Sequence, residues 1–236
     1  MPDMPDVLFD GKGWHAPSLR SMILVTGGAR SGKSTLAERL ATDFGGRVLY
    51  VATAEPRDEE MRLRIERHQA ARSPEWGTLV APRDAVERLR EVEGDWDTLL
   101  LDCLTLYTTT LLLEEEAGSS DPEVALAQVM QDLADYLSDH WPQAVVVTNE
   151  VGTGIVPGDR LSRLFRDLQG RVNQAFARRA DEVYLCVSGI PIKIKGQGSL
   201  QPAGEQSTRP ADTRVDGSPW PSDPPVGGSS PPRPAS

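Results

Sequence analysis

The stretch Gly27-Gly28-Ala29-Arg30-Ser31-Gly32-Lys33-Ser34 fits G-x-x-x-x-G-K-[ST], the pattern of a P-loop. Gly27, Gly28 and Gly32 let the backbone bend tightly and aim N–H groups inward at an anion. The helix-forming TLAERLA that follows adds the positive end of its dipole. Lys33 can reach the β- and γ-phosphates of a nucleotide, and the Ser34 hydroxyl can ligate Mg²⁺. Such a loop needs an acid at the end of a neighbouring strand to hold the metal. Asp102 ends LLLD and fits that role, which makes Ser34 and Asp102 the candidate metal ligands. Glu150, after VVVTN, is a second carboxylate. It reads either as a base or holder of a metal-bound water, or as a solvated loop glutamate.

A second group of residues lies in MRLRIERHQAARSPEW, residues 61–76. Helical spacing puts Arg64, His68 and Arg72 on one face, at i, i+4 and i+8. Arginine matches phosphate oxygens bidentately. Positive charge nearby favours neutral imidazole, which is a nucleophile able to form a covalent intermediate. On spacing alone, a polar histidine on a solvated basic helix is the favoured reading of His68.

These residues need elements to position them. MILVT (22–26), RVLYVAT (47–53), DTLLLDC (97–103), AVVVTNE (144–150) and EVYLCV (182–187) are nearly continuous in Val, Leu and Ile, as strands buried on both faces are. Segments 34–43, 58–72, 122–139 and 159–180 carry helical patterns. The alternation predicts an α/β fold with a mostly parallel sheet and helices on both faces. Ligands of such sheets bind beyond the carboxyl ends of the strands, so the chemistry belongs just after Thr26, Thr53, Asp102 and Asn149.

Three zones follow from composition: a flexible N-terminal extension (1–21), one globular domain (22–196), and a Pro/Gly/Ser-rich tail (197–236). The tail has too little apolar surface to offset the entropy of ordering and is expected to be disordered. Hydrophobic residues make up 39% of the chain, enough for a core. No apolar run approaches the ~20 residues of a membrane span. The two cysteines, Cys103 and Cys186, lie in apolar strand-like runs, which argues against a disulfide framework or a zinc site. A reducing cytoplasm is the default compartment. The net charge of −10 argues against a nucleic-acid partner.

A P-loop alone leaves kinase, switch and motor open. The longer stretches narrow this. MILVTGGARSGKSTLAERLA, VATAEPRDEEMRLRIERHQAARSPEW, LLLDCLT and TNEVGTGIVPGDRLSRLFRDLQGRVNQAFARRADEVYLCVSGIPIKIKG occur in order across nearly all of residues 22–196. Together they resemble the bifunctional adenosylcobinamide kinase/adenosylcobinamide-phosphate guanylyltransferase family of cobalamin biosynthesis. The R-I-x-x-H-x-x-x-R-x-x-x-W and N-E-V-G-x-G-I-V-P arrangements are more specific than the P-loop itself.

The resemblance implies a RecA-like P-loop fold, typically trimeric. It implies that adenosylcobinamide is phosphorylated with ATP or GTP. His68 then takes GMP from GTP, releasing pyrophosphate, and passes it to adenosylcobinamide phosphate to give adenosylcobinamide-GDP. Carried over, nucleotide contacts fall on Gly27–Ser34, on Ala52, Thr53 and Ala54, on Gln69, Ala70, Ala71 and Arg72, and on Asp102. Arg64 becomes a further phosphate partner. One departure is plain. Where the family commonly has the glutamate of T-I-E-A-P, this chain has Val80 in Thr78-Leu79-Val80-Ala81-Pro82. A carboxylate there would pair with the N1–H and exocyclic amine of guanine. A nucleotide-operated switch, a kinase lacking the second activity, and a RecA-like nucleic-acid ATPase are the competing readings. The acidic balance counts against the last.

Overall fold

The computed structural model describes residues 8–9, 14–15, 20–55, 59–70, 72–115 and 122–196. The side chains of Leu8, Phe9, Trp14, His15, Glu60, Met61, Arg64, Arg67, His68, Ala70 and Pro122 fall outside that description. The chain divides into two compact units, Met1–Gln201 and Pro202–Ser236, and every described residue lies in the first. The tail expected to be disordered therefore lies outside the described residues.

Within the 1–21 extension, β1 (Leu8–Phe9) and β2 (Trp14–His15) pair antiparallel. This hairpin was not expected from the sequence, where 1–21 read as a flexible extension. The main sheet begins at Ser21 rather than Met22. Its strands are β3 (Ser21–Gly27), β4 (Val48–Ala52), β5 (Gly77–Val80), β6 (Thr98–Asp102), β7 (Gln143–Val147), β8 (Glu182–Val187) and β9 (Ile190–Lys195). Their spatial order is β5-β4-β6-β7-β3-β8-β9. All neighbours are parallel except β8 and β9, which form an antiparallel hairpin. Two strands, β6 and β7, separate the P-loop strand β3 from β4, the next sheet strand in sequence. This is the RecA-like P-loop sheet, of the mostly parallel α/β class.

The helices are α1 (Lys33–Phe44), α2 (Glu59–Ala70), α3 (Ala85–Glu91), α4 (Leu104–Glu115), α5 (Pro122–His140) and α6 (Arg160–Arg179). Period-two alternation in β3 sorts the core into two layers. Met22 and Leu24 join Leu49, Leu99 and Leu101 against α3, α4, α5 and α6. Ile23 and Val25 join Tyr50, Leu100, Val145 and Val147 against Leu36, Ala37 and Ala41 of α1. Fully burying each such aliphatic side chain contributes about 1.5–3 kcal/mol before entropy is counted. α6 starts where Asp159 caps it, accepting from the Ser162 N–H at 2.8 Å, and carries Arg178 and Arg179 in its last turn.

Several boundaries differ from expectation. The strand expected over 144–150 ends at Val147: Thr148 and Glu150 still donate their N–H groups to the Val25 and Gly27 carbonyls of β3, but on the other side the Asn149 N–H turns to Thr105 Oγ1. The helix expected over 58–72 closes at Ala70, so Arg72 sits in the turn after it and not on its face. Elements α3, α4, β5 and β9 were not anticipated.

Candidate active site

Parallel pairing brings Gly27, Ala52, Val80, Asp102 and Val147 to one edge of the sheet. The P-loop leaves β3 at this edge. A Cβ on Gly27 would come within 2.6 Å of both the Cys186 carbonyl oxygen and Ser31 Oγ, so only glycine fits. Gly32 has φ 90° and opens α1 as an N-cap that offers no side-chain hydrogen bond. The first N–H groups of α1 thus have no side-chain cap at Gly32 and face the position an anion takes in a P-loop. Lys33 Nζ donates to the Gly28 carbonyl at 3.1 Å within the loop. The turn between β8 and β9 braces the loop from outside: the Gly189 N–H donates to the Ser31 carbonyl at 2.9 Å.

Beside the loop opens a cleft of about 640 Å³, continuous with solvent. Lys33 and Ser34 line it from α1, Ala52 and Ala54 from the end of β4, and Asp102 from the end of β6. Ile65 and Gln69 line it from α2, and Arg72 from the turn beyond. Residues that sequence reasoning placed in three separate stretches therefore share one cavity. Its lining also includes Tyr50, Cys103 and Leu106, which were not singled out, and Asn149, expected only as a strand end. Tyr50 and Cys103 were hidden within runs that looked like pure core.

Several bonds hold this edge. Thr53 is fully buried, and its hydroxyl both donates to the Cys103 carbonyl at 2.7 Å and accepts from the Cys103 N–H at 2.8 Å. It clamps the end of β4 to the end of β6. The Asp102–Cys103 peptide bond is cis. Burial, reinforced by the charge of Asp102, pushes the Cys103 thiol up to about 11. Asn149 is fixed by Thr105 Oγ1, which accepts from both its backbone and side-chain nitrogens at 2.9 Å. Glu150 does not line the cleft. It lies beside the P-loop, with its N–H donating to the Gly27 carbonyl at 3.2 Å. Its Oε1 accepts from Thr26 Oγ1 at 2.8 Å and Asn173 Nδ2 at 3.2 Å.

His68 lies on α2, three residues after Ile65 and one before Gln69; its side chain, with those of Arg64 and Ala70, is outside the described residues. Ala71 is outside them altogether. Among the described residues, no group of three or more His, Cys, Asp or Glu side chains gathers into a metal cage. The pair Ser34 and Asp102 in one cleft nevertheless suits Mg²⁺, which is held by one or two protein oxygens together with substrate phosphates and waters.

Comparison with known proteins places this architecture. The family described as cobinamide kinase / cobinamide phosphate guanyltransferase matches residues 23–194, which include the P-loop, α2 and the cleft-lining strand ends. The chain belongs to this family. It is 46% identical over 182 residues to the bifunctional adenosylcobalamin biosynthesis protein CobU of Salmonella typhimurium, covering 74% of this chain and 99% of that protein. The CobU protein of Escherichia coli is 44% identical over the same length and coverage. The bifunctional adenosylcobalamin biosynthesis protein CobP of Pseudomonas aeruginosa is 41% identical over 174 residues, covering 74% of this chain and 97% of that protein. These three relatives are thus matched nearly end to end by this chain. Among the described residues no helix is long and apolar enough to cross a membrane.

Proposed function

We propose that this chain is a bifunctional transferase of cobalamin nucleotide-loop assembly. It phosphorylates adenosylcobinamide with ATP or GTP, and then moves GMP from GTP to the resulting phosphate through His68. The observation that carries the reading is the family match over residues 23–194, centred on a cleft where the P-loop meets α2.

In the kinase step the acceptor hydroxyl oxygen bonds to the γ-phosphorus and the bond to the β-bridging oxygen breaks. Little covalent work is asked of the protein, whose part is positioning and electrostatic support. Lys33 and the first N–H groups of α1 hold the phosphates. Mg²⁺, held by Ser34 and Asp102, would neutralise charge on the β- and γ-oxygens. Glu150, fixed beside the P-loop by Thr26 and Asn173, is the candidate to orient the acceptor hydroxyl or take its proton.

In the guanylyl step a neutral imidazole nitrogen of His68 attacks the α-phosphorus of GTP. A P–N bond forms, the α–β P–O bond breaks, and pyrophosphate leaves. A phosphate oxygen of adenosylcobinamide phosphate then attacks the same phosphorus and the P–N bond breaks. Two steps with a neutral first attacker avoid driving one anion directly against another. Arg72, and Arg64 on α2, are assigned to the departing phosphates. Gln69, Ala70 and Ala71 are assigned to the nucleotide beside them.

The chain is further proposed to act as a homotrimer in the cytoplasm, without a nucleic-acid partner. Exposure of Ile190, Ile192 and Ile194 on the edge strand β9 supports self-association. Analytical ultracentrifugation tests it, and a purely monomeric chain at micromolar concentration rejects it.

The deciding experiment is covalent labelling. The unaltered chain and a His68→Ala variant are incubated with Mg²⁺ and GTP labelled at the α-phosphate, then denatured. Acid-labile, base-stable label on the unaltered chain alone is the expected result. Absence of label on protein that binds GTP rejects the covalent route.

A further inference from the structure

The Arg72 guanidinium lies over the ring of Tyr50, its Cζ 3.1 Å from the ring centroid. Both side chains line the cleft that holds Lys33, Ser34 and Asp102. Arg72 Nε and Nη1 are buried, and neither has a hydrogen-bond partner among the described residues. Buried donors without acceptors are costly, by about 1–3 kcal/mol for each such group. A structure that keeps them in that state has reserved them for something that arrives later. Asp102 lines the same cleft, yet no ion pair joins it to Arg72 among the described residues.

The place of Arg72 over the ring points to what its donors can serve. A guanidinium has an electron-poor face and five donors in its plane. The Tyr50 ring satisfies the face through its quadrupole and leaves the in-plane donors untouched. A flat cation held by its face presents its edge, and that edge matches two oxygens of a phosphate. Tyr50 is well placed to hold it still. It is 3% exposed, lies on β4 between β5 and β6, and packs with Leu100, Val145 and Val147 in the sheet core. Arg72, by contrast, follows the end of α2, where its hydrogen bond among the described residues comes from the backbone, whose N–H donates to the Gln69 carbonyl at 3.3 Å. Without the ring, a long side chain in a turn would sample many rotamers and lose entropy whenever it gripped a ligand.

We propose that Tyr50 is a positioning residue that holds the Arg72 guanidinium by its face, so that the unpaired edge of Arg72 grips a phosphate group of the bound nucleotide. The role needs the ring and not the hydroxyl. It acts through Arg72, and it rests on the reading of this cleft as a nucleotide site.

The test is a double-mutant cycle on the full chain, with GTP and Mg²⁺ as the probe and the dissociation constant as the readout. Tyr50→Leu and Arg72→Ala are each expected to weaken GTP binding about tenfold or more. The combined variant is expected to be no weaker than Arg72→Ala alone. Tyr50→Phe keeps the stack and is expected to bind as the unaltered chain does. Arg72→Lys keeps charge but not the plane, and is expected to fall with Arg72→Ala. Additive losses in the cycle overturn the proposal, because the ring then acts independently of Arg72. So does an Arg72→Lys variant with unaltered affinity, or a Tyr50→Phe variant as weak as Tyr50→Leu. Should Tyr50→Leu fail to fold, the Tyr50→Phe and Arg72→Lys comparisons decide the matter. If the unaltered chain does not bind GTP, the nucleotide-site reading falls and takes this proposal with it. If it binds and the variants are indifferent, only the proposal falls.

Discussion

The Thr26 hydroxyl donates to Glu150 Oε1 at 2.8 Å, joining the end of the P-loop strand to the carboxylate that follows β7. Asn173 reaches the same oxygen from α6, and its own Oδ1 accepts from Thr148 at 2.7 Å and Gln169 at 2.9 Å. Thr148 and Gln169 are fully buried. Glu150 is therefore oriented by a chain of hydrogen bonds that begins in the core, which is unlike a solvated loop glutamate.

Glu150→Gln should keep the geometry, since the amide oxygen can still accept from Thr26 and Asn173. It removes the charge and the basicity. Phosphoryl transfer to adenosylcobinamide is expected to slow by about 100-fold or more, with GTP affinity nearly unchanged. Steady-state kinetics beside equilibrium GTP binding check this. A full-speed Glu150→Gln enzyme would remove Glu150 from the chemistry.

The Tyr107 hydroxyl accepts from the Ala85 N–H at 3.2 Å, at the first residue of α3. Asp84, the N-cap, makes no side-chain cap bond. Tyr107→Phe leaves that buried N–H without a partner, and the expected loss is about 1–3 kcal/mol of stability. Urea unfolding measures it, with GTP affinity as the control expected to stay constant.

Cys103 sets an alkaline limit. Its folded thiol is pushed from an ordinary 9.0 to about 11, chiefly by burial. Below pH 9 the thiol is protonated in both states and costs nothing. Between pH 9 and 11 the unfolded chain loses its proton first, so the unfolded state is favoured as pH rises. The loss across that window is on the order of 2 kcal/mol. Tyr50, also raised by burial, acts in the same direction above pH 10. Unfolding free energies at pH 8 and pH 10.5 should differ by less in a Cys103→Ala variant than in the unaltered chain.

Val80 closes β5 and is 51% exposed, next to Ala81, whose N–H donates to the Ala52 carbonyl at 2.8 Å. Ala52 lines the cleft. Val80→Glu is expected to raise the preference for GTP over ATP by about tenfold, through charged acceptor oxygens for guanine. Competition binding with the two nucleotides checks it. An unchanged ratio would mean that guanine is chosen by other groups.

The strands carrying the P-loop, Asp102 and Asn149 were legible because buried parallel strands are continuous apolar runs, and the run in β3 ends directly in the glycine motif. α4 was not legible. LTLYTTTLLLEE is apolar on all sides, with Leu104, Tyr107, Thr108 and Leu112 buried alike, so no amphipathic stripe marks it as a helix. β5 is a four-residue edge strand with alternate burial, too short to separate from a loop. β9 does show alternation in Ile190, Ile192 and Ile194, but those isoleucines face outward, where a strand is least expected to place them. The placement of Arg72 was legible in outline only. Spacing put it on a helix face with His68, whereas the helix stops at Ala70 and the arginine finds its place over Tyr50, a residue of β4. Such a partnership lies between elements and leaves no periodicity in either.

The Gly189-to-Ser31 bond has a consequence for the order of events during synthesis. The phosphate cradle is encoded near the start of the domain, yet its outer brace is supplied by Gly189, 158 positions after Ser31. A nascent chain that has emerged only through α6 carries the whole P-loop motif but neither β8 nor the turn that supports it. Nucleotide capture should therefore begin only once the final hairpin has left the ribosome, so that a prematurely ended chain would not sequester GTP. Nucleotide retention by stalled chains ending before and after Gly189 would show the step.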